Sequence, residues 1–187
     1  MIRLPCAQLL KGDAARDAIS FARNGAIDDA LSALDRALEE AREGSDLVRV
    51  GGVLGCMGML LERAGRGAEG RVRLQAAVSL FRAHKSRTAE AAFMGVLAEV
   101  RAGIGELEVA RRALEMAEAT LREEEAWTEL GSLLVRRAVV ETLAGDPVMA
   151  LAALEDASAV CATESVYAEI DQAVASLHVS QELAAVA

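Results

Sequence analysis

The chain contains few of the residues that carry chemistry. Among its 187 residues there are only two histidines, His84 and His178, and neither has a cysteine or another histidine at the spacing of metal ligands. An active site needs a nucleophile with its base, a pair of tuned carboxylates or a metal cluster, and no such group is recognisable in the sequence. We therefore expect a protein that is not an enzyme and that holds no cofactor and no metal.

Prolines and aromatic residues are also scarce. Pro5 and Pro147 are the only prolines, aromatic side chains make up 3% of the chain, and no stretch has the alternating β-branched pattern of a strand. Long helices can therefore run unbroken, and the composition predicts an all-α protein. With 53% hydrophobic residues, a chain of this length can bury one continuous core, so we expect a single domain over residues 1–187.

Long hydrophobic runs, excess positive charge and paired cysteines are missing as well. No apolar run reaches the ~18 to 20 residues that cross a bilayer. A net charge of −9 without a basic stripe argues against binding to nucleic acid; the acidic surface favours a basic partner, or only solubility. Cys6, Cys56 and Cys161 are odd in number and have no paired spacing, which is typical of the reducing cytoplasm.

Glycine recurs at intervals of forty residues, at Gly25, Gly65, Gly105 and Gly145, and small or apolar residues recur with it. Seven residues before each glycine are Ala18, Gly58, Ala98 and Ala138; five residues after it are Ala30, Gly70, Ala110 and Ala150; nine residues after it are Leu34, Leu74, Leu114 and Leu154; twelve residues after it are Ala37, Ala77, Ala117 and Ala157. Self-similarity at this period predicts a stacked helical repeat.

This order of small residue, glycine, small residue, leucine and small residue resembles the tetratricopeptide-repeat family across residues 11–160, and the copy GDPVMALAALEDA is the best match. The resemblance implies two antiparallel helices per repeat, A and then B, stacked into a right-handed α-solenoid that recognises another protein. The period exceeds the ~34 residues usual in the family, so each helix should be almost one turn longer, as in variants from bacterial regulators and scaffolds. We expect four repeats, at residues 11–50, 51–90, 91–130 and 131–163, and a capping helix at 164–185.

Small residues suit the contact between the two helices of a pair. Helix axes approach to about 8 to 10 Å only where the side chains between them allow it, and the alanines and glycines of the A and B helices would face each other there. Each repeat glycine suits the A-to-B corner, because the helix must end and reverse, and Asp146 can cap the helix that follows. Four residues before the glycine, Phe21 and Leu61 are bulky but Arg101 and Glu141 are charged. The third and fourth A helices are therefore expected to end differently or to be partly exposed.

Four glycines, Gly51, Gly52, Gly55 and Gly58, lie inside the predicted second A helix. Each interior glycine costs a helix about 0.5 to 1 kcal/mol. Four of them in eight residues indicate a close approach, either by a neighbouring helix or by a ligand, and helix packing is the simpler of the two explanations.

In the resembled family, the concave surface is lined by A-helix positions 13, 10, 6 and 3 residues before each repeat glycine. The residues that we predict to contact a partner there are Ala15, Ile19, Gly52, Gly55, Met59, Glu62, Gly95, Glu99, Ser132, Val135 and Val139. This inventory is small, apolar and nearly uncharged, which suits the apolar face of an amphipathic helix or a peptide. It lacks the basic and asparagine side chains that clamp a terminal carboxylate in some family members, so a chaperone-tail adaptor is disfavoured.

The predicted function is a cytoplasmic, non-catalytic scaffold or adaptor that holds a partner protein in this groove. Two alternatives remain open. The groove or the ends of the stack could form a homodimer. The chain could instead be the ligand- or peptide-sensing domain of a bacterial regulator, because residues 141–146, ETLAGD, resemble helical repeats of large bacterial transcriptional activators.

Overall fold

The computed structural model describes residues 9–160, 166–171 and 173–175. They form helices α1 (Asp13–Arg23), α2 (Ile27–Glu43), α3 (Leu47–Arg63), α4 (Gly67–Ala83), α5 (Arg87–Gly103), α6 (Leu107–Glu123), α7 (Trp127–Leu143) and α8 (Pro147–Val160), and residues 166–171 and 173–175 are helical too. Each helix from α1 to α8 packs on the next one in chain order, and this part of the chain contains no strand. The predicted all-α solenoid of antiparallel helix pairs is therefore confirmed, with α1, α3, α5 and α7 as A helices and α2, α4, α6 and α8 as B helices.

All seven connections between these helices turn in the same way, at intervals of twenty residues. Their residues with positive φ are Gly25, Ser45, Gly65, Lys85, Gly105, Glu125 and Gly145. The next residue donates its N–H to the carbonyl five residues earlier, as Ala26 does to Phe21, which is the Schellman motif. The reversals at the four repeat glycines are as predicted. Ser45, Lys85 and Glu125 adopt the same left-handed conformation between repeats, at a strain of about 1 kcal/mol each.

The prediction that the third and fourth A helices end differently is wrong. In α5 the N–H of Glu106 bonds to the carbonyl of Arg101 at 3.0 Å, and in α7 the N–H of Asp146 bonds to the carbonyl of Glu141 at 2.9 Å. The Schellman motif is made by backbone groups, so the side chain four residues before the repeat glycine does not determine how the helix ends. Arg101 is partly exposed as expected, but Glu141 is only 3% exposed. Asp146 caps α8 as expected, because its carboxylate accepts the N–H of Met149 at 3.1 Å.

The two helices of a pair touch through small residues, as the repeat pattern predicts. A Cβ atom placed on Gly58 would lie 2.8 Å from the carbonyl oxygen of Gly70 and 2.7 Å from Cγ of Leu74, and one placed on Gly70 would lie 2.7 Å from the carbonyl oxygen of Gly58. The backbones of α3 and α4 are therefore in direct contact. The alanines at the same two registers in the other repeats are buried, as are all four register leucines.

Successive A helices also pack on each other, since α5 contacts both α3 and α7. A Cβ atom on Gly55 would overlap the ring of Phe93, and one on Gly95 would overlap Leu133. In both contacts the bulky residue lies 38 positions after the glycine. Phe93 also stacks on Phe81, with ring centroids 5.5 Å apart and planes at 16°. Gly55 and Gly58 of α3 thus accommodate neighbouring helices, which supports helix packing as the explanation for these two glycines.

The first repeat has polar residues on the outer face of α1. The A-helix register that holds Val53, Phe93 and Leu133 in later repeats is occupied by Asp13 in α1. The neighbouring exposed positions of α1 are Arg16, Asp17 and Ser20. A polar outer face is what a terminal repeat needs. At the other end, Val166 and Ala173 are buried in the second of the two core clusters, so the described part of the predicted capping helix does cover the fourth repeat.

Candidate functional site

The structure divides the eleven predicted contact residues into two groups. Ala15, Gly52, Gly55, Met59, Gly95 and Val135 are buried, and Ile19, Glu62, Glu99, Ser132 and Val139 are partly exposed. The buried group includes every predicted residue ten positions before a repeat glycine. In α3 and α5 that position lies in the seam between successive A helices, and it does not line an open groove there.

Direct contacts explain why the first of these groups is buried. Gly55 and Gly95 receive Phe93 and Leu133 from the next A helix, and a Cβ atom on Gly52 would lie 3.0 Å from Cβ of Leu9. Met59 is only 4% exposed and belongs to the first core cluster. Six of the eleven residues expected to meet a partner are thus covered by the protein's own residues.

Polar side chains bridge the seam where it reaches the surface. Arg136 of α7 donates from Nη1 to Oε2 of Glu99 in α5 at 2.5 Å, and the hydroxyl of Ser132 donates to Oε1 of Glu169 at 3.2 Å. In both hydrogen bonds the partners are 37 residues apart, close to the 38-residue spacing of the glycine contacts. Sequence reasoning missed Arg136, although this repeated spacing was a signal that could have found it. The partly exposed positions of the A helices are consequently mixed in polarity, and the expectation of a nearly uncharged surface is corrected.

Glu62 has an unusual environment on this surface. Its carboxylate lies against the first turn of α4, because Cβ atoms on Gly67 and Gly70 would be 3.2 and 3.0 Å from its two oxygens. Oε1 is buried and accepts no hydrogen bond from the described residues. Burial raises the pKa of this carboxyl above its ordinary 4.5, the positive charge of Arg71 partly offsets that rise, and Glu99 adds to it.

A polar cleft of about 450 Å³ opens between α6 and α8, with Arg137 and Glu141 of α7 among its lining residues. Arg111 of α6 donates to Glu141 from Nε at 3.1 Å and from Nη2 at 2.5 Å, and these bonds raise the pKa of the Arg111 guanidinium. Glu118, also buried, accepts from Arg137 at 2.7 Å and pairs with Arg122. The buried acids in this region are fully paired, so the cluster ties the third repeat to the fourth and presents no open binding chemistry.

The fourth repeat exposes four large apolar side chains at its A-to-B corner, which we call the corner patch: Leu143, Val148, Met149 and Leu151. They are between 44% and 74% exposed. The first three repeats carry other residues at these positions. In the order Leu143, Val148, Met149 and Leu151, they are Arg23, Arg63 and Gly103; Asp28, Ala68 and Glu108; Asp29, Glu69 and Val109; and Leu31, Arg71 and Arg111. Eight of these twelve are charged. Sequence reasoning missed the patch, although alignment of the repeats contained the signal.

Within residues 9–160, 166–171 and 173–175, no helix has the length and apolar character that a membrane span requires. No three or more His, Cys, Asp or Glu side chains in those segments are grouped so as to hold a metal ion. No family model matches the chain, and no curated protein matches it either.

Proposed function

We propose that the chain is a non-catalytic protein-binding module of the cytoplasm, a tetratricopeptide-like repeat that holds a helix or peptide of a partner protein. The corner patch is the observation that carries this proposal. Four large apolar side chains are exposed around one corner of a stack whose other repeats place mostly charge at the same positions. Exposed apolar clusters of this kind mark interaction sites, and a surface held by packed helices needs little ordering when it binds.

The proposed contact lies at the corner of the fourth repeat, away from the groove expected from the sequence. The concave positions that remain partly exposed are Ile19, Glu62, Glu99, Ser132 and Val139. They present isolated apolar groups between polar ones, which supports a secondary contact zone for an extended partner. The interlocking of the A helices supports a binding mode in which the stack stays fixed and the partner becomes ordered on it.

An affinity capture with the full-length chain tests the proposal. Wild type is compared with Val148→Asp/Leu151→Asp in the corner patch, with Val139→Asp on the concave surface and with Val72→Asp, an exposed residue of α4 outside both. Each retained protein is then purified and titrated against the same four chains. We expect partners that bind wild type and Val72→Asp and lose affinity for the double variant.

The comparison also separates the possible sites. Loss of binding with Val139→Asp alone would place the partner on the concave surface. If no purified candidate binds wild type, the protein-binding function itself is contradicted.

A further inference from the structure

The charge of the chain is concentrated near its carboxyl end. Residues 138–187 contain eight Asp or Glu and no Lys or Arg, whereas residues 1–137 contain 21 acidic and 20 basic residues. Nearly the whole net charge of −9 therefore belongs to the segment that carries the corner patch. In earlier repeats arginines compensate the acids through ion pairs, such as Arg82 with Glu90 and Arg87 with Glu123, but α8 has no such residue.

The outer face of α8 changes from apolar to acidic along its length. Val148, Leu151, Ala152 and Glu155 follow each other at spacings of three, one and three residues, which puts them on one side of a helix, and all four are exposed. Asp156, one turn after Ala152, is exposed beside them. A helix laid along this face would meet apolar side chains first and carboxylates one turn later.

We propose that the corner patch binds an amphipathic helix of a partner protein whose apolar side chains cover Val148 and Leu151 and whose Lys or Arg side chains meet Glu155 and Asp156. This inference rests on the proposed function and names the chemistry of its partner. Burial of apolar area would supply most of the affinity, and the excess of negative charge would speed association and select against acidic partners.

The same charges disfavour a second copy of the chain as the occupant. Two copies meeting through α8 would bring together two surfaces that contain acids and no compensating base, and like charges across an interface are destabilising. In an antiparallel pairing, Val148 and Leu151 of one copy would also face the carboxylates of the other. Phosphate-rich surfaces are repelled for the same reason.

A selection from a displayed peptide library tests the partner chemistry without a known ligand. The library encodes random helical peptides of about 16 residues, or roughly four turns, and is selected on the full-length chain. Clones are then scored on wild type, on Val148→Asp/Leu151→Asp, on Glu155→Lys/Asp156→Lys and on the control Val72→Asp. Circular dichroism checks that all four chains are folded. We expect them to fold, because the substituted residues are exposed in wild type.

We expect clones with apolar residues at helical spacing and Lys or Arg one turn away. Their affinity should fall about tenfold or more with the apolar double variant, fall several-fold with the charge-reversed variant, and stay unchanged with Val72→Asp. Binding to wild type should weaken between about 50 and 500 mM salt, because exposed charges are screened.

The negative results are distinguishable. Clones that bind all four chains equally would overturn the assignment to the corner patch while leaving the protein-binding function in place, and a library that yields no binders at all would contradict both. Discriminating clones without basic residues would overturn the charge argument. Sedimentation that detects a wild-type dimer, absent in the apolar double variant, would assign the patch to a second copy and overturn the inference.

Discussion

Replacement of Gly58 by alanine tests the backbone contact on which each helix pair depends. A methyl group there would lie 2.7 Å from Cγ of Leu74 and 2.8 Å from the carbonyl oxygen of Gly70, about 0.6 to 0.7 Å inside ordinary contact at 3.4 Å. The carbonyl belongs to the backbone of α4, so relief requires α3 and α4 to move apart. Overpacking of this kind costs about 1 to 3 kcal/mol, against a gain of about 0.5 to 1 kcal/mol from helix propensity.

We expect Gly58→Ala to lower the free energy of unfolding by about 1 to 2 kcal/mol, which corresponds to a drop in Tm of roughly 2 to 8 °C for a chain of this size. Gly103→Ala is the matched control, because Gly103 ends α5 and a Cβ atom there would meet nothing within 4 Å. This control should be neutral or slightly stabilising. Urea unfolding of both variants measures the difference, and an equal rise in stability for both would refute the close contact.

Three further variants test the interior of the stack. Glu62→Gln should stabilise the fold at pH values above the folded pKa of Glu62, where the wild-type carboxylate is charged and desolvated. Because burial raises that pKa, wild type regains this stability as the pH falls through it, and a stability difference that persists in acid would contradict the burial of the carboxylate. Arg111→Met should lower the free energy of unfolding, because it leaves Glu141 buried without its partner. Arg111→Met/Glu141→Leu should restore most of the loss, and a double-mutant cycle in denaturant measures both. Met59→Lys buries an ammonium group in the core and should lower Tm by many degrees, so a folded variant in a thermal melt would show that Met59 is accessible after all.

Much of the solenoid could be predicted from local features of the sequence. The glycines at a period of forty are placed where the chain requires positive φ, and the small residues that flank them occupy the contact between the helices of each pair. The turns at Ser45, Lys85 and Glu125 were harder to predict, because these residue types occur widely outside turns. The Schellman hydrogen bonds that hold these turns are made by backbone groups, so they require no particular residue type that the sequence would reveal.

The open surface was less predictable. Gly55 could line a groove or pack against an aromatic ring. Which of the two occurs depends on Phe93, 38 residues later, and on how closely one repeat packs against the next. The burial of Glu141 was equally hard to predict, because it depends on the guanidinium of Arg111 in the preceding repeat. These contacts are set by the volumes and charges of residues that are distant in the chain.

The sequence by itself determined that this protein is a stack of paired helices with a fixed period, because backbone conformation at the corners and small side chains at regular spacing are local requirements. Only the tertiary structure decided which faces of those helices stay open. Packing between successive A helices covered Gly55 and Gly95 of the expected groove, while the apolar side chains of Val148 and Leu151 remained uncovered among the described residues. The reason is that exposure depends on all the neighbours that surround a residue in space.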